Sequence, residues 1–202
     1  VWEQMAADIR SKIMDSSILK RTLYKLSMHI MSYNSNLITK ILCEWLINKW
    51  LRDQLGLSFV KSAATGGAAL GPDTFKFFVN IGIPLKQLYG QTEQIGAYTI
   101  HRNNDIDYDS VGYPFKNVEI KINKPDKEGI GEIVVKNKNC MSSYLNVEEE
   151  FLNEGWFYTG DAGYLNKKNH LIVIDRMSDL AKTSDNLRYS PQYIENKLKF
   201  SS

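Results

Sequence analysis

The sequence predicts a mixed α/β chain. A helical N-terminal segment leads into a βαβ unit of parallel sheet, and a small antiparallel β subdomain follows. Three observations predict it. Apolar residues recur at helical spacing through residues 1–55. A strand, a proline-started helix and a second strand then fit within the roughly 30 residues that a βαβ unit needs. Beyond residue 110, short alternating runs are separated by turn-forming residues.

In the helical segment, Leu19, Leu23, Leu26 and Ile30 make one stripe, and Leu37, Ile41, Leu42, Trp45 and Leu46 make another. Tyr33-Asn34-Ser35-Asn36 marks a break and a cap between them. Such stripes are expected to pack on a protein core, with docking on a membrane surface as the alternative. Ser58 to Ala64 reads as a short strand that ends at Thr65-Gly66-Gly67. Gly71-Pro72 opens a helix, because proline suits the first helical position. Phe75, Phe78 and Val79 form its buried stripe, and Gly82 closes it. The second strand runs from Pro84 to Tyr89 and ends at Gly90. A right-handed crossover joins parallel strands of this kind. Ligands bind at the carboxyl ends of such strands, where both glycine-containing turns fall. Farther on, Val118 to Ile122, Glu132 to Lys136 and Leu171 to Ile174 read as strands, with Pro125-Asp126-Lys127-Glu128-Gly129 as a turn, and a final helix starts at Pro191.

Composition narrows the function. The chain has 202 residues, 43% hydrophobic and 24% charged, which is enough to bury a core and argues against disorder. A formal charge of +2, with dispersed basic residues, gives no nucleic-acid footprint. Cys43 and Cys140 stand far apart and His29, His101 and His170 are scattered, so a disulfide scaffold and a zinc site are both unexpected. The cysteines read as reduced thiols of a cytoplasmic protein. No apolar run is long enough to span a membrane. The opening Val1-Trp2-Glu3-Gln4 is not a signal peptide, lacks an initiator Met and begins in mid-pattern, so the chain reads as a piece of a longer protein.

Several short motifs carry chemistry. In Tyr89-Gly90-Gln91-Thr92-Glu93, the glycine admits close approach of a phosphate and the threonine offers a hydroxyl to it. The glutamate suits Mg²⁺, which takes one or two carboxylates and fills its shell with phosphate and water. The tyrosine offers a flat face to a purine. In Tyr158-Thr159-Gly160-Asp161, a carboxylate in a tight turn suits two ribose hydroxyls. Asp175-Arg176 follows a strand and offers an arginine to phosphate or ribose. Each motif taken singly also fits an ordinary turn, hairpin aspartate or salt bridge.

Their order is more specific. Thr65-Gly66-Gly67-Ala68-Ala69-Leu70, Tyr89-Gly90-Gln91-Thr92-Glu93, Gly131-Glu132-Ile133 with Tyr144, Gly155 to Asp161, and Asp175-Arg176-Met177-Ser178-Asp179 occur in succession. This succession resembles the adenylate-forming, AMP-binding superfamily. Val1-Trp2-Glu3-Gln4-Met5, the helical insert before Leu57, and the tail from Met177 to Ser184 with Pro191-Gln192 and Ile194-Glu195 most resemble its long-chain fatty acid:CoA ligases.

The resemblance implies ATP-dependent activation of a fatty acid to acyl-AMP, then transfer to coenzyme A, with Mg²⁺ as the metal. It assigns Gly66, Gly67 and Ala68 to the backbone of an adenine and acyl pocket. It places Tyr89 on adenine within Tyr89-Gly90-Gln91, Thr92 on phosphate and Glu93 on Mg²⁺. Asp161 falls on the ribose hydroxyls with Arg176 nearby, and Ser178 at a hinge between a large and a small domain. Residues 1–110 would belong to the large AMP-binding domain, 111–176 to its β-rich part, and 177–202 to the start of a small C-terminal α+β domain. A fatty acyl-AMP ligase, a carrier-protein-loading adenylation domain and a non-catalytic nucleotide-binding remnant remain alternatives. The expected setting is the cytoplasm, with peripheral contact at the inner face of a membrane.

Three departures stand out. The family's Ser/Thr/Gly-rich phosphate loop ending in lysine does not appear, and neither does the lysine of the small domain. Thr183-Ser184-Asp185-Asn186 stands where relatives have a glycine pair. The chain by itself is therefore expected to be nearly inactive.

Overall fold

The computed structural model describes residues 1–32, 36–67, 70–146, 152–185, 187–191 and 194–195. Tyr33 to Ser35, Ala68, Asn186 and most of the expected final helix lie outside the described residues. The chain forms two compact units, Val1–Lys86 and Gln87–Ser202.

The first unit is mainly helical. It contains α1 (Trp2–Met14), α2 (Ile18–Ser32), α3 (Leu37–Cys43) and α4 (Lys49–Gln54), and a single π-helical turn, Glu44–Asn48, joins α3 to α4. The Asn36 side chain accepts from Ile38 N–H at 3.3 Å and so caps α3, as the sequence suggests. β1 (Ala63–Thr65) is shorter than expected, because residues 58 and 59 lie in a turn. α5 (Pro72–Asn80) starts on its proline, and the Ala63 N–H donates to the Pro84 carbonyl beside the start of β2 (Leu85–Gln91). The core of this unit joins Ala6, Ile9 and Ile13 of α1 to Phe75, Phe77 and Phe78 of α5 and to Ile81, Ile83 and Leu85. Trp2 meets the edge of Phe78 with ring centroids 4.9 Å apart.

The stripes of α2 and α3 do not join that core. Leu19 is 69% exposed and Trp45 72%, and Leu26, Leu37, Ile41, Leu42 and Leu46 are exposed as well. The expectation of core packing is corrected here, and the reason is visible on the opposite helix face. Ser27 and Asn48 are fully buried, and Ser27 Oγ donates to Asn48 Oδ1 at 3.1 Å. Asn48 Nδ2 donates to the Asn80 carbonyl at 3.1 Å. Arg52 pairs with Glu44 and also donates to the Ile81 carbonyl. Buried polar groups must be satisfied, so these bonds fix which face turns inward.

The second unit is built of β-strands. β2 continues into it and pairs antiparallel with β3 (Gly96–Ile100), which pairs antiparallel with β4 (Tyr113–Pro114). A second antiparallel sheet runs in the order β5 (Val118–Asn123), β6 (Gly131–Asn137), β7 (Phe157–Leu165), β8 (Leu171–Arg176). The expected small antiparallel subdomain is thus present, and β3 and β7 are additions to it. A short hairpin, β9 (Ala181–Lys182) with β10 (Arg188–Tyr189), spans the Thr183 to Asp185 region. Tyr98, Val111, Ile133, Val135 and Leu171 form the core, with Tyr89 packed against it. The loop between β4 and β3 is pinned to β8: Val111 N–H donates to the Leu171 carbonyl and Leu171 N–H to the Gly112 carbonyl, each at 2.9 Å.

Candidate functional site

Asp161 is the centre of the site. The sequence suggests a tight turn there, but the residue lies within β7, the longest of the described strands. Gly160 precedes it at φ +69°, a conformation that glycine adopts without strain. This local kink in the strand reads, in sequence, like a turn. The Asp161 N–H donates to Thr159 Oγ1 at 3.1 Å, and Thr159 Oγ1 donates to the Ile133 carbonyl at 2.7 Å.

Three side chains converge on the Asp161 carboxylate. The register of β7 and β8 sets Arg176 directly opposite, and its Nη1 lies 2.9 Å from Oδ1. Gln91 Nε2 donates to Oδ2 at 2.9 Å and to the Thr159 carbonyl at 3.0 Å. The Tyr89 hydroxyl also donates to Oδ2. Burial raises the carboxyl above its ordinary range, and the bonds from Tyr89, Arg176 and Gln91 partly offset that rise. Burial likewise pushes the Tyr89 phenol well above its usual range, and the neighbouring Tyr98 and Asp161 push the same way. Tyr89 is therefore a donor at any physiological pH. Its ring meets Tyr98 edge-on, with centroids 5.1 Å apart.

Tyr89 and Gly90 do not end the strand as expected; both lie inside β2, with a bulge between them. A Cβ on Gly90 would sit 2.1 Å from the Gly96 carbonyl oxygen, so the missing side chain lets β3 cross closely. Thr92, Glu93 and Gln94 form a single 3₁₀ turn at the end of β2. Glu93 Oε1 accepts from the Tyr144 hydroxyl at 2.7 Å, and the Glu93 carbonyl accepts from Met141 N–H at 2.8 Å. The two carboxylates share a field. Burial raises the Tyr98 phenol first, and the negative charges of Asp161 and then Glu93 raise it further.

The residues fit a nucleotide and a metal. A carboxylate offers about four lone-pair positions, and three are in use at Asp161, so one is left for a hydroxyl donor. Arg176 has an exposed side chain and can turn from Asp161 toward a phosphate. Gln91 Oε1 is buried and accepts from no described group, an acceptor suited to a bound donor. Among the described residues no three His, Cys, Asp or Glu side chains cluster. Mg²⁺ needs only one or two carboxylates beside phosphate and water, and Glu93 meets that need with its second oxygen.

Tyr89, Gln91, Asp161 and Arg176 are thus brought together, with Thr92 and Glu93 on the adjoining turn. Gly66 and Gly67 lie in the first unit after β1, Gly67 at φ +83° with open space where a Cβ would stand. Tyr98 and the hydroxyl of Thr159 were not among the expected site residues. Tyr98 carries no local motif, and only the β2–β3 pairing brings it against Tyr89. Ser178 lies in a 3₁₀ turn, Met177–Asp179, and donates to Asp179 at 2.8 Å.

The family described as "AMP-binding enzyme" matches residues 9–145. A long-chain-fatty-acid–CoA ligase, ACSBG2 of Gallus gallus, is 28% identical over 98% of the chain. The chain spans 28% of the length of that relative. A 2-succinylbenzoate–CoA ligase of Enterococcus faecalis is 35% identical over 59% of the chain and 27% of its own length. Among solved structures, the O-succinylbenzoate coenzyme A synthetase of Bacillus subtilis, in complex with ATP and magnesium ion, superposes with a TM-score of 0.60 at 27% identity. That match covers 84% of this chain and 40% of the synthetase.

Proposed function

Because the chain belongs to the AMP-binding enzyme family, we propose that it supplies the ribose- and magnesium-holding groups of an ATP-dependent long-chain fatty acid–CoA ligase. One observation carries the proposal: Tyr89, Gln91 and Arg176, from β2 and β8, all converge on the Asp161 carboxylate in β7.

In this reading one ribose hydroxyl of ATP donates to the open position on Asp161, and the other takes the position that Arg176 vacates. Tyr89 and Gln91 hold the carboxylate in place, so little reorganisation is needed on binding. The Tyr89 ring lies against adenine, and Thr92 donates to a phosphate oxygen. Arg176 exchanges part of its pairing with Asp161 for a phosphate oxygen. Glu93, whose Oε1 accepts from the Tyr144 hydroxyl, would hold Mg²⁺ through its second oxygen, and the ion would supply charge neutralisation at the phosphates. A fatty acid carboxylate attacks the α-phosphorus of ATP, and pyrophosphate leaves with the electrons of the broken P–O bond. The thiolate of coenzyme A then attacks the acyl carbonyl of the adenylate, and AMP leaves.

Coverage favours a long-chain acid. The fatty acid ligase aligns across nearly the whole chain, including the helical unit, whereas the succinylbenzoate ligase, though higher in identity, aligns over little more than half. Cys43 and Cys140 are both free, which suits a reducing cytoplasm.

Titration calorimetry of the chain with ATP·Mg²⁺ tests the proposal. Hydrogen bonds to a charged group contribute about 1.5–3 kcal/mol, so Asp161→Ala is expected to weaken binding roughly 10- to 100-fold. Glu93→Gln is expected to weaken ATP·Mg²⁺ and leave metal-free AMP unchanged. Wild-type affinity in Asp161→Ala sinks the ribose assignment.

A further inference from the structure

Tyr98 is a phenol where the packing asks only for a ring. It is fully buried among Val111, Ile133, Val135 and Leu171, where the ring of a phenylalanine would pack as well. Its hydroxyl bonds no described group. A buried polar atom without a partner weighs against the fold, so an unpaired hydroxyl beside a binding site calls for a use there.

Two features of β3 aim that hydroxyl at the site. The first is the bulge. Tyr89 pairs with Thr99 and Gly90 with Ala97, so Tyr98 is the extra residue and has no partner in the β2 register. Bulges beside binding sites re-aim a side chain in this way. The second is the contact that results. The Tyr98 ring meets Tyr89 at an interplanar angle of 76°, and the two phenol groups act on each other. The negative charges of Asp161 and Glu93 also reach Tyr98.

Taking Asp161 as the ribose site, as proposed, we infer that Tyr98 is a positioning residue for it: its hydroxyl bonds the Tyr89 hydroxyl when nucleotide is bound, and so steadies the carboxylate while Arg176 turns to phosphate. The donors explain how. A phenol has one proton to give and lone pairs to accept with. Tyr89 gives its proton to Asp161 Oδ2, which leaves its oxygen to accept from Tyr98. A donor on the Tyr89 oxygen strengthens the bond that Tyr89 makes in turn. Once Arg176 leaves, the carboxylate has lost its cationic partner, and the Tyr98–Tyr89 chain and Gln91 hold it for the ribose hydroxyls. The Tyr98 bond is absent in the free chain and made in the complex, so it favours binding rather than folding.

Calorimetry with AMP and with 2′,3′-dideoxy-AMP, which lacks both ribose hydroxyls, tests this without a metal. The parent chain is expected to prefer AMP. Tyr98→Phe keeps the ring. It is expected to weaken AMP about 3- to 10-fold, the worth of one neutral hydrogen bond, and to leave dideoxy-AMP unchanged. Its urea midpoint is expected to equal or exceed the parent's, because an unpaired hydroxyl is removed. A merely structural tyrosine would instead lose stability and weaken both ligands together. Tyr113→Phe removes a phenol that donates to Asp105 at 2.7 Å, and is expected to bind AMP as the parent does. The inference is overturned if Tyr98→Phe keeps the parent's full preference for AMP or weakens both ligands equally. A parent chain that binds AMP and dideoxy-AMP alike overturns the ribose assignment itself, and the role of Tyr98 with it.

Discussion

The two units place polarity in opposite ways. In the β unit, apolar residues from both sheets fill the core, and buried polar groups gather in two places, around Asp161 and around His101. In the helical unit, α2 and the continuous run from α3 through the π-helical turn to α4 turn Ser27, Asn48 and Arg52 inward and present leucine, isoleucine and tryptophan to the outside. The difference teaches that a periodic stripe reports which residues share a face, not which way the face points. Direction is decided by what the opposite face must satisfy. A buried asparagine without partners costs more than an exposed leucine.

The sharpest way to break this comparison is within the helical unit. Phe78 is fully buried in α5, and Phe78→Ala is expected to lower the unfolding free energy by about 3–5 kcal/mol. Trp45→Ser, a larger loss of side-chain volume, is expected to cost less than about 0.5 kcal/mol. Urea denaturation of both variants checks this, and similar losses would mean that Trp45 packs on a core after all.

The next effect belongs to the β unit. His101 is buried; its Nδ1 accepts from Gln87 N–H at 3.1 Å, and its Nε2 lies 2.9 Å from Ser110 Oγ, which in turn lies 2.9 Å from His170 Nδ1. Burial lowers the His101 pKa to about 4. The neutral ring is therefore the native form. A depressed pKa contributes stability that is complete above the unfolded value near 6.5 and is lost as pH falls toward 4. The expected loss over that window is about 3 kcal/mol, and His101→Gln should flatten it. Stability measured against pH for both proteins decides the matter.

The smallest effect sharpens the account of the inverted helices. Asn48→Ala removes the acceptor for Ser27 and the donor to Asn80, so the expected loss is about 1–3 kcal/mol. A neutral Asn48→Ala would mean that these bonds do not set the direction of the face.

Much of this was legible in the sequence. The helical spacing of residues 1–55 was read correctly, as were the proline that starts α5, the strands β5, β6 and β8, and membership of the AMP-binding family. These are local signals, set by backbone geometry over a few residues. β7 was not legible as a strand, because Gly160 and its positive φ look like a turn to any reading that does not see the partner strands. Tyr98 was not legible as part of the site, because only strand pairing brings it beside Tyr89.

By itself, then, the sequence determined the periodicity of each element, the residue types available for nucleotide chemistry and the family they belong to. The tertiary structure alone decided that Tyr89, Gln91 and Arg176 meet on Asp161, and that the leucine stripes of α2 and α3 face outward. The physical reason is the same in both cases. Register between strands and the pairing of buried polar groups are satisfied between residues far apart in the chain, and no local pattern encodes where such partners will be found.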